Sequence, residues 1–118
     1  AVIDGMTDGV RRLKAAGINV IGATVTTALG STSAAHGFPE QDEKRKALNQ
    51  FIRTSPIFSG YIDFDEVILD PATGQMKAEF VPDSTIGGPG DKLHPNRVGY
   101  QVMGNSINLN QVVNPRGN

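Results

Sequence analysis

The chain has 118 residues, 11 Lys plus Arg against 12 Asp plus Glu, and neither Cys nor Trp. This length allows one domain at most, and a net charge of −1 with both signs interspersed leaves no basic face for nucleic acid. The absence of thiols excludes disulfides, thiolate zinc sites and cysteine nucleophiles, and no apolar run approaches the roughly 20 residues that span a bilayer.

Val2, Ile3, Met6, Val10 and Leu13 draw one apolar stripe at the spacing of a helix, with Asp4, Asp8, Arg11, Arg12 and Lys14 on the other side. Ala1 already lies within this pattern, so the sequence is expected to start inside a domain. Gly17 is the expected terminator, because glycine takes the left-handed position after a helix without steric cost. Ile18 to Thr26 follows, apolar on both alternating faces and rich in β-branched residues. It predicts a central parallel strand buried on both sides, paired with Tyr61 to Phe64 or with a strand outside this chain.

Thr27 to Pro39 is a loop of small residues around His36, and loops of this length are more often functional. The next helix is expected from about Glu40 to Thr54. Ala47, Leu48, Phe51 and Ile52 should be buried, while Glu43, Lys44, Arg45 and Lys46 face water. Ser55-Pro56 stops it. Tyr61 to Phe64 predicts a short strand and Asp70 to Gly74 a turn; beyond Pro82 the chain is irregular through Gly90. A last helix should run from Asn96, its N-cap, to Ile107, with Val98, Val102, Met103 and Ile107 inward. Two strands are fewer than the roughly five to six of an average sheet. The pattern therefore favours the back half of a larger doubly wound α/β sheet over a small α+β domain with further weak strands.

Neither G-x-G-x-x-G nor G-x-x-x-x-G-K-[ST] occurs, nor H-E-x-x-H, and Ser31 and Ser33 do not sit in G-x-S-x-G. No cofactor or metal site is assigned. Asp63, Asp65 and Glu66 could hold a hard cation such as Mg²⁺, or cap the next helix and face solvent. The remaining constellation is Gly90-Asp91-Lys92-Leu93-His94-Pro95-Asn96, a carboxylate three residues before an imidazole on a turn leading into a helix. A carboxylate on one ring N–H fixes the tautomer that leaves the other nitrogen free to take a proton. On the residues alone, Asp91 and His94 read first as caps of the following helix. If they act together, their side chains should meet at 2.7–3.2 Å, roughly the range of hydrogen bonds.

The stretch Asp91 to Tyr100 resembles the D-x-x-H-P-N-x-x-G-Y block that closes the catalytic domain of the SGNH hydrolases, or GDSL lipases and esterases. Upstream, Ala15 to Thr24 is similar to that family's helix and fourth strand. Arg45, Asn49, Ile52 and Arg53 resemble its next helix, and Ile62 to Asp65 its last strand. The resemblance covers residues 1–113, the C-terminal half of one such domain, followed by a tail over residues 114–118. It implies a three-layer, flavodoxin-like α/β fold, with Asp91 orienting His94 and His94 acting as general base.

The family's G-D-S-L block with the serine nucleophile, and the glycine and asparagine blocks of the oxyanion hole, have no counterpart here. The expected partner is therefore an N-terminal, serine-bearing segment of the same enzyme, or a second copy of the chain through self-association. The substrate implied is a carboxylic ester of a lipid, small molecule or acetylated sugar, and secretion is implied by the family. Because the Thr27 to Pro39 loop leaves the C-terminal end of its strand, where open α/β sheets place ligands, Thr26, Thr27, Gly30 and Ser31 are expected on the substrate side and His36 exposed. Alone the chain should be a poor catalyst, since losing the serine of a triad costs about 10⁶ in kcat. The alternatives are a non-catalytic α/β interaction module and a metal-dependent α/β domain using Asp63 and Asp65.

Overall fold

Helix α1 (Val2–Ala15) ends as Gly17 dictates. Gly17 has φ +82°, its N–H donates to Lys14 O at 2.9 Å, and Ile18 N–H reaches back to Leu13 O at 3.0 Å. This pair of bonds satisfies carbonyls the helix would otherwise leave open. The computed structural model describes residues 1–114. Strand β1 (Ile21–Ala23), helix α2 (Pro39–Thr54), strand β2 (Gly60–Ile62) and helix α3 (Phe64–Ile68) follow. A 3₁₀ turn (Ala78–Phe80) and helices α4 (Arg97–Asn105) and α5 (Leu109–Val113) complete the described chain. The part of residues 114–118 beyond Asn114 lies outside the described residues.

The fold is mixed α/β. β1 and β2 pair in parallel, Ile21 opposite Gly60 and Ala23 opposite Ile62, joined by the helical crossover α2. Ser59 N–H donates to Val20 O at 2.8 Å and Thr24 N–H to Ile62 O at 3.0 Å. Even-numbered residues of this strand therefore bond to β2, and Ile21 and Ala23 turn their backbone groups to the other edge, which carries no strand among the described residues. No helix of the described residues is long and apolar enough to cross a membrane.

Several expectations need correction. The segment Ile18 to Thr26 is not buried on both faces: Ile18 is 50% exposed and Val25 46%. α2 covers the Gly22 and Thr24 face only. A Cβ on Gly22 would lie 2.8 Å from Ile52 Cγ2 and 3.3 Å from the Phe58 ring, so glycine permits this close approach of helix to strand. Beside Val25, between the start of α1 and α2, opens a recess of about 430 Å³ bordered by Val2, Ile3, Lys44, Arg45, Ala47 and Leu48. β2 stops at Ile62 because the Asp63 carboxylate accepts the Glu66 N–H at 3.2 Å and caps α3, which takes Phe64 into a helix.

The buried stripe of α2 is also different. It runs Asp42, Arg45, Asn49 and Ile52, a 3-4-3 spacing, whereas Ala47 is exposed. Arg45 does not face water; its side chain is 9% exposed. Its Nε donates to Asp42 Oδ1 at 2.8 Å and its Nη1 to Val25 O at 3.1 Å. The same Nη1 lies 2.6 Å from Asp65 Oδ1, an ion pair whose N–H is not aimed at that oxygen as a hydrogen bond. Burial alone lowers the Arg45 pKa, but Asp65 and then Asp42 outweigh it and hold the guanidinium above its ordinary value. Asn49, fully buried, accepts Val25 N–H and donates to Val25 O, both at 2.8 Å. Arg53 forks onto Asp63 at 2.7 and 2.9 Å, and that pairing, with Thr24 assisting against burial, depresses the Asp63 pKa.

The C-terminal half packs Ile68, Met76 and Phe80 with Val67, Val81, Val102 and Met103. Asp70 to Gly74 forms the expected turn, Gly74 N–H donating to Asp70 O at 2.8 Å, and brings Leu69 beside Met76. α4 begins at Asn96 as expected, but ends at Asn105 rather than Ile107, and α5 was not anticipated. Val98 is exposed instead of inward, because Gly99 takes the core position against Pro95 and Phe80.

Arg45→Ala would leave Asp42 and Asp65 buried without their shared cation and should cost about 3–5 kcal/mol, read as a lower urea midpoint by circular dichroism. Arg12→Ala breaks the exposed Asp8–Arg12 pair and should stay within about 0.5 kcal/mol of the parent.

Candidate active site

The turn before α4 is built by one carboxylate. Asp91 Oδ1 accepts the backbone N–H of Leu93 and of His94, both at 2.9 Å, which folds the chain back on itself. Oδ2 then meets His94 Nδ1 at 2.7 Å, as the three-residue spacing predicts. The turn requires two left-handed residues, Gly90 just before it at φ +78° and Lys92 within it at φ +57°. A side chain at Gly90 would run into the carbonyl of Val81, so glycine is obligatory there on steric grounds. The strain at Lys92 is held by its Nζ, which donates to Gln75 Oε1 at 2.9 Å.

Asn96 fastens the other end of the turn. Its N–H donates to Phe80 O at 2.8 Å, its Nδ2 to Glu79 O and Pro82 O at 2.9 and 3.0 Å, and its Oδ1 accepts Gly99 N–H at 3.0 Å. Asn96 is thus both the N-cap of α4 and the link between the turn and the 3₁₀ segment.

Asp91 is buried while the His94 side chain is 45% exposed. Burial on its own would raise the Asp91 pKa. The backbone N–H of His94, then its ring, then the N–H of Leu93 outweigh it and bring the carboxyl from 3.8 to about 2. Asp91 is therefore ionised at neutral pH and can only accept, so Nδ1 carries the proton it shares with Asp91. In the neutral ring that leaves the lone pair on Nε2, which has no hydrogen-bond partner among the described residues.

The loop after β1 lies against this turn, Thr32 N–H donating to Asp91 O at 3.1 Å. Between that loop, the first turns of α2 and Leu93 is a cavity of about 270 Å³. It sits at the C-terminal end of β1, where parallel sheets gather ligands. Of the loop residues expected near a substrate, Thr26 borders it; His36 is exposed, as expected, and also borders it, which was not expected. Thr27 is fully buried, its hydroxyl donating to Gly74 O at 2.7 Å and accepting Leu29 N–H at 3.2 Å, so it pins the loop. Gly30, at φ +73°, donates to Gly37 O at 3.2 Å, and Ser31 Oγ accepts Ser33 N–H at 3.1 Å. Neither borders the cavity.

Asp63 and Asp65 do not join this site. Their oxygens face Arg53, Arg45, Asn49 and Thr24, the arrangement of an internal ion-pair network. No group of three or more His, Asp or Glu able to hold a metal ion occurs among the described residues.

Leu93 and Phe38, which line the cavity, were not singled out from the sequence. Leu93 could have been found as the neighbour of His94, whereas nothing local marks Phe38. Asp42 and Arg45 had a usable signal in their 3-4-3 spacing with Asn49 and Ile52.

Because its folded pKa is depressed, Asp91 contributes stability that is complete above pH 3.8 and lost as pH falls through about 2. The advantage of the parent over Asp91→Asn should therefore shrink progressively below pH 3.8, by about 2 kcal/mol in all, in urea titrations followed by circular dichroism. An advantage that stays constant down to pH 2 would contradict the paired, ionised carboxylate.

No family model matches this chain, and no curated protein matches it.

Proposed function

We propose that this chain is the Asp–His-bearing part of a serine ester hydrolase of the SGNH type. The observation that carries the reading is the 2.7 Å contact between buried Asp91 and half-exposed His94, on a turn beside a cavity. The D-x-x-H-P-N-x-x-G-Y block supports it from the sequence, because that turn is built by the block's own residues: Asp91 folds it, Pro95 and Gly99 pack against each other, and Asn96 anchors it.

In the complete enzyme a serine hydroxyl, supplied by a segment outside these 118 residues, attacks the ester carbonyl. As the new C–O bond forms, His94 Nε2 takes the hydroxyl proton, and Asp91 stabilises the resulting imidazolium. The tetrahedral intermediate then collapses, the C–O bond to the alcohol breaks, and His94 returns its proton to the leaving alkoxide. Water repeats the sequence on the acyl-serine and releases the acid. The open edge of β1, at Ile21 and Ala23, is the seat this reading gives the serine-bearing segment, since unpaired strand edges accept a further strand.

A non-catalytic interaction module is the second reading, and the same open edge with half-exposed Ile18 and Val25 favours it.

The purified chain should hydrolyse p-nitrophenyl esters no better than free imidazole and should take up no fluorophosphonate. Mixing it with the segment encoded upstream should produce serine labelling and turnover, and His94→Ala should abolish the turnover. A stable mixture without turnover would favour the interaction module. Stoichiometric labelling of Ser31 or Ser33 in the isolated chain would overturn the assignment, because the nucleophile would then lie within it.

A further inference from the structure

Gly74 and Gln75, at the end of the Asp70 turn, reach both sides of the candidate site. On one side they hold the loop after β1. Thr27 Oγ1 donates to Gly74 O at 2.7 Å, and Gly30 comes so close that a Cβ there would lie 2.7 Å from Gln75 Nε2. On the other side Gln75 Oε1 accepts Lys92 Nζ at 2.9 Å. An ammonium can only donate, so it fixes which end of the amide faces it and leaves Nε2 turned to Gly30. The backbone of Gln75 is itself anchored: its N–H donates to Thr73 Oγ1 at 3.2 Å, its carbonyl accepts Asp70 N–H at 2.8 Å, and Met76 after it lies in the core.

Lys92 sits at φ +57°, a conformation that glycine takes freely and a residue with a Cβ does not. What lysine supplies there beyond glycine is its ammonium, whose hydrogen bond among the described residues goes to Gln75. Lys92 also lies inside the stretch that Asp91 folds, so moving Lys92 moves the His94 ring. The other bond between loop and turn, Thr32 N–H to Asp91 O at 3.1 Å, is a single point about which the turn can pivot. Leu29, next to Gly30, and Leu93, next to Lys92, both border the cavity. We infer that Gln75 is a positioning residue of the proposed ester hydrolysis: bonded to Lys92 and seated against Gly30, it is the second point that sets the His94 turn relative to the cavity loop. The inference rests on the ester-hydrolase reading for its effect on turnover, whereas the seating of the imidazole is measured without substrate.

The test uses the 118-residue chain with ¹⁵N-labelled histidine at a pH where the ring is neutral, the His94 signals being those missing from His94→Ala. In the parent, the Nδ1 proton shared with Asp91 should exchange slowly with water and the ring should keep one tautomer. Gln75→Leu keeps the bulk and removes the acceptor; it should speed the exchange and mix the tautomers. Gln75→Glu, which offers Lys92 a charged acceptor, should restore the parent's signals. Lys92→Gly separates positioning from stability. It relieves the left-handed strain, so it should unfold at no lower urea concentration than the parent, yet show the fast exchange of Gln75→Leu. In the mixture with the upstream segment, Gln75→Leu and Lys92→Gly should each lower kcat by about tenfold or more and leave KM near the parent's, as when transition-state geometry and not binding is lost.

A folded Gln75→Leu or Lys92→Gly variant whose His94 exchange and tautomer match the parent's would overturn the inference, as would a loss of stability with no change at His94. Absence of turnover in the parent's mixture would overturn the hydrolase reading, and the imidazole signals alone would then decide the role of Gln75.

Discussion

Arg45 lies between Asp42 and Asp65 with its side chain nine-tenths buried, and the arrangement of the N-terminal half follows from it. Asp42 and Arg45 belong to α2, Asp65 to α3, and the Val25 carbonyl that Arg45 also binds to the end of β1. Asn49 repeats the link one turn later by pairing with both backbone groups of Val25, and Arg53 repeats it again with Asp63. Buried ion pairs add little net stability, because desolvation offsets much of their attraction. Their value here is geometric. A guanidinium held by fixed oxygens admits one rotation and one register of α2 on the sheet, where few buried apolar side chains (Val10 and Ile52 among them) would specify it loosely.

That register places the loop after β1 against the Asp91 turn. The turn itself needs no long-range force to form, since one carboxylate accepts two neighbouring N–H groups and the ring three residues on. Its position does depend on distant residues: Gly90 against Val81, Lys92 on Gln75, Asn96 on the 3₁₀ segment and Thr32 on Asp91. The imidazole is thereby held in one orientation by residues from several parts of the chain, the kind of preorganisation that the proposed proton transfer would require.

The apolar surface tells the complementary story. Two strands of three residues each make the described sheet, and an isolated strand pair is marginal in water. Ile18 and Val25 remain half exposed, and a recess opens beside Val25. The radius of gyration, 15.5 Å, exceeds the about 13.5 Å expected of a compact domain of this length. A further strand and a covering layer on the open edge of β1 would bury Ile18 and Val25.

Local sequence determined what local bonds could enforce. The stop at Gly17, the turn at Asp70 to Gly74, the Asn96 cap and the Asp91–His94 contact each involve partners within about five residues, so spacing alone foretold them. Parallel pairing of β1 with β2 was legible too, from the order strand, helix, strand. Tertiary structure decided the rest. Arg45 reads as a surface residue by type, and only the convergence of Asp42, Asp65 and Val25 O makes its burial favourable. Phe64 reads as strand, and only the cap that Asp63 provides turns it into helix. Burial of Val25 and Ile18 was expected from their apolarity, but apolarity records a side chain's preference, and whether a covering layer meets it depends on elements far away in the chain.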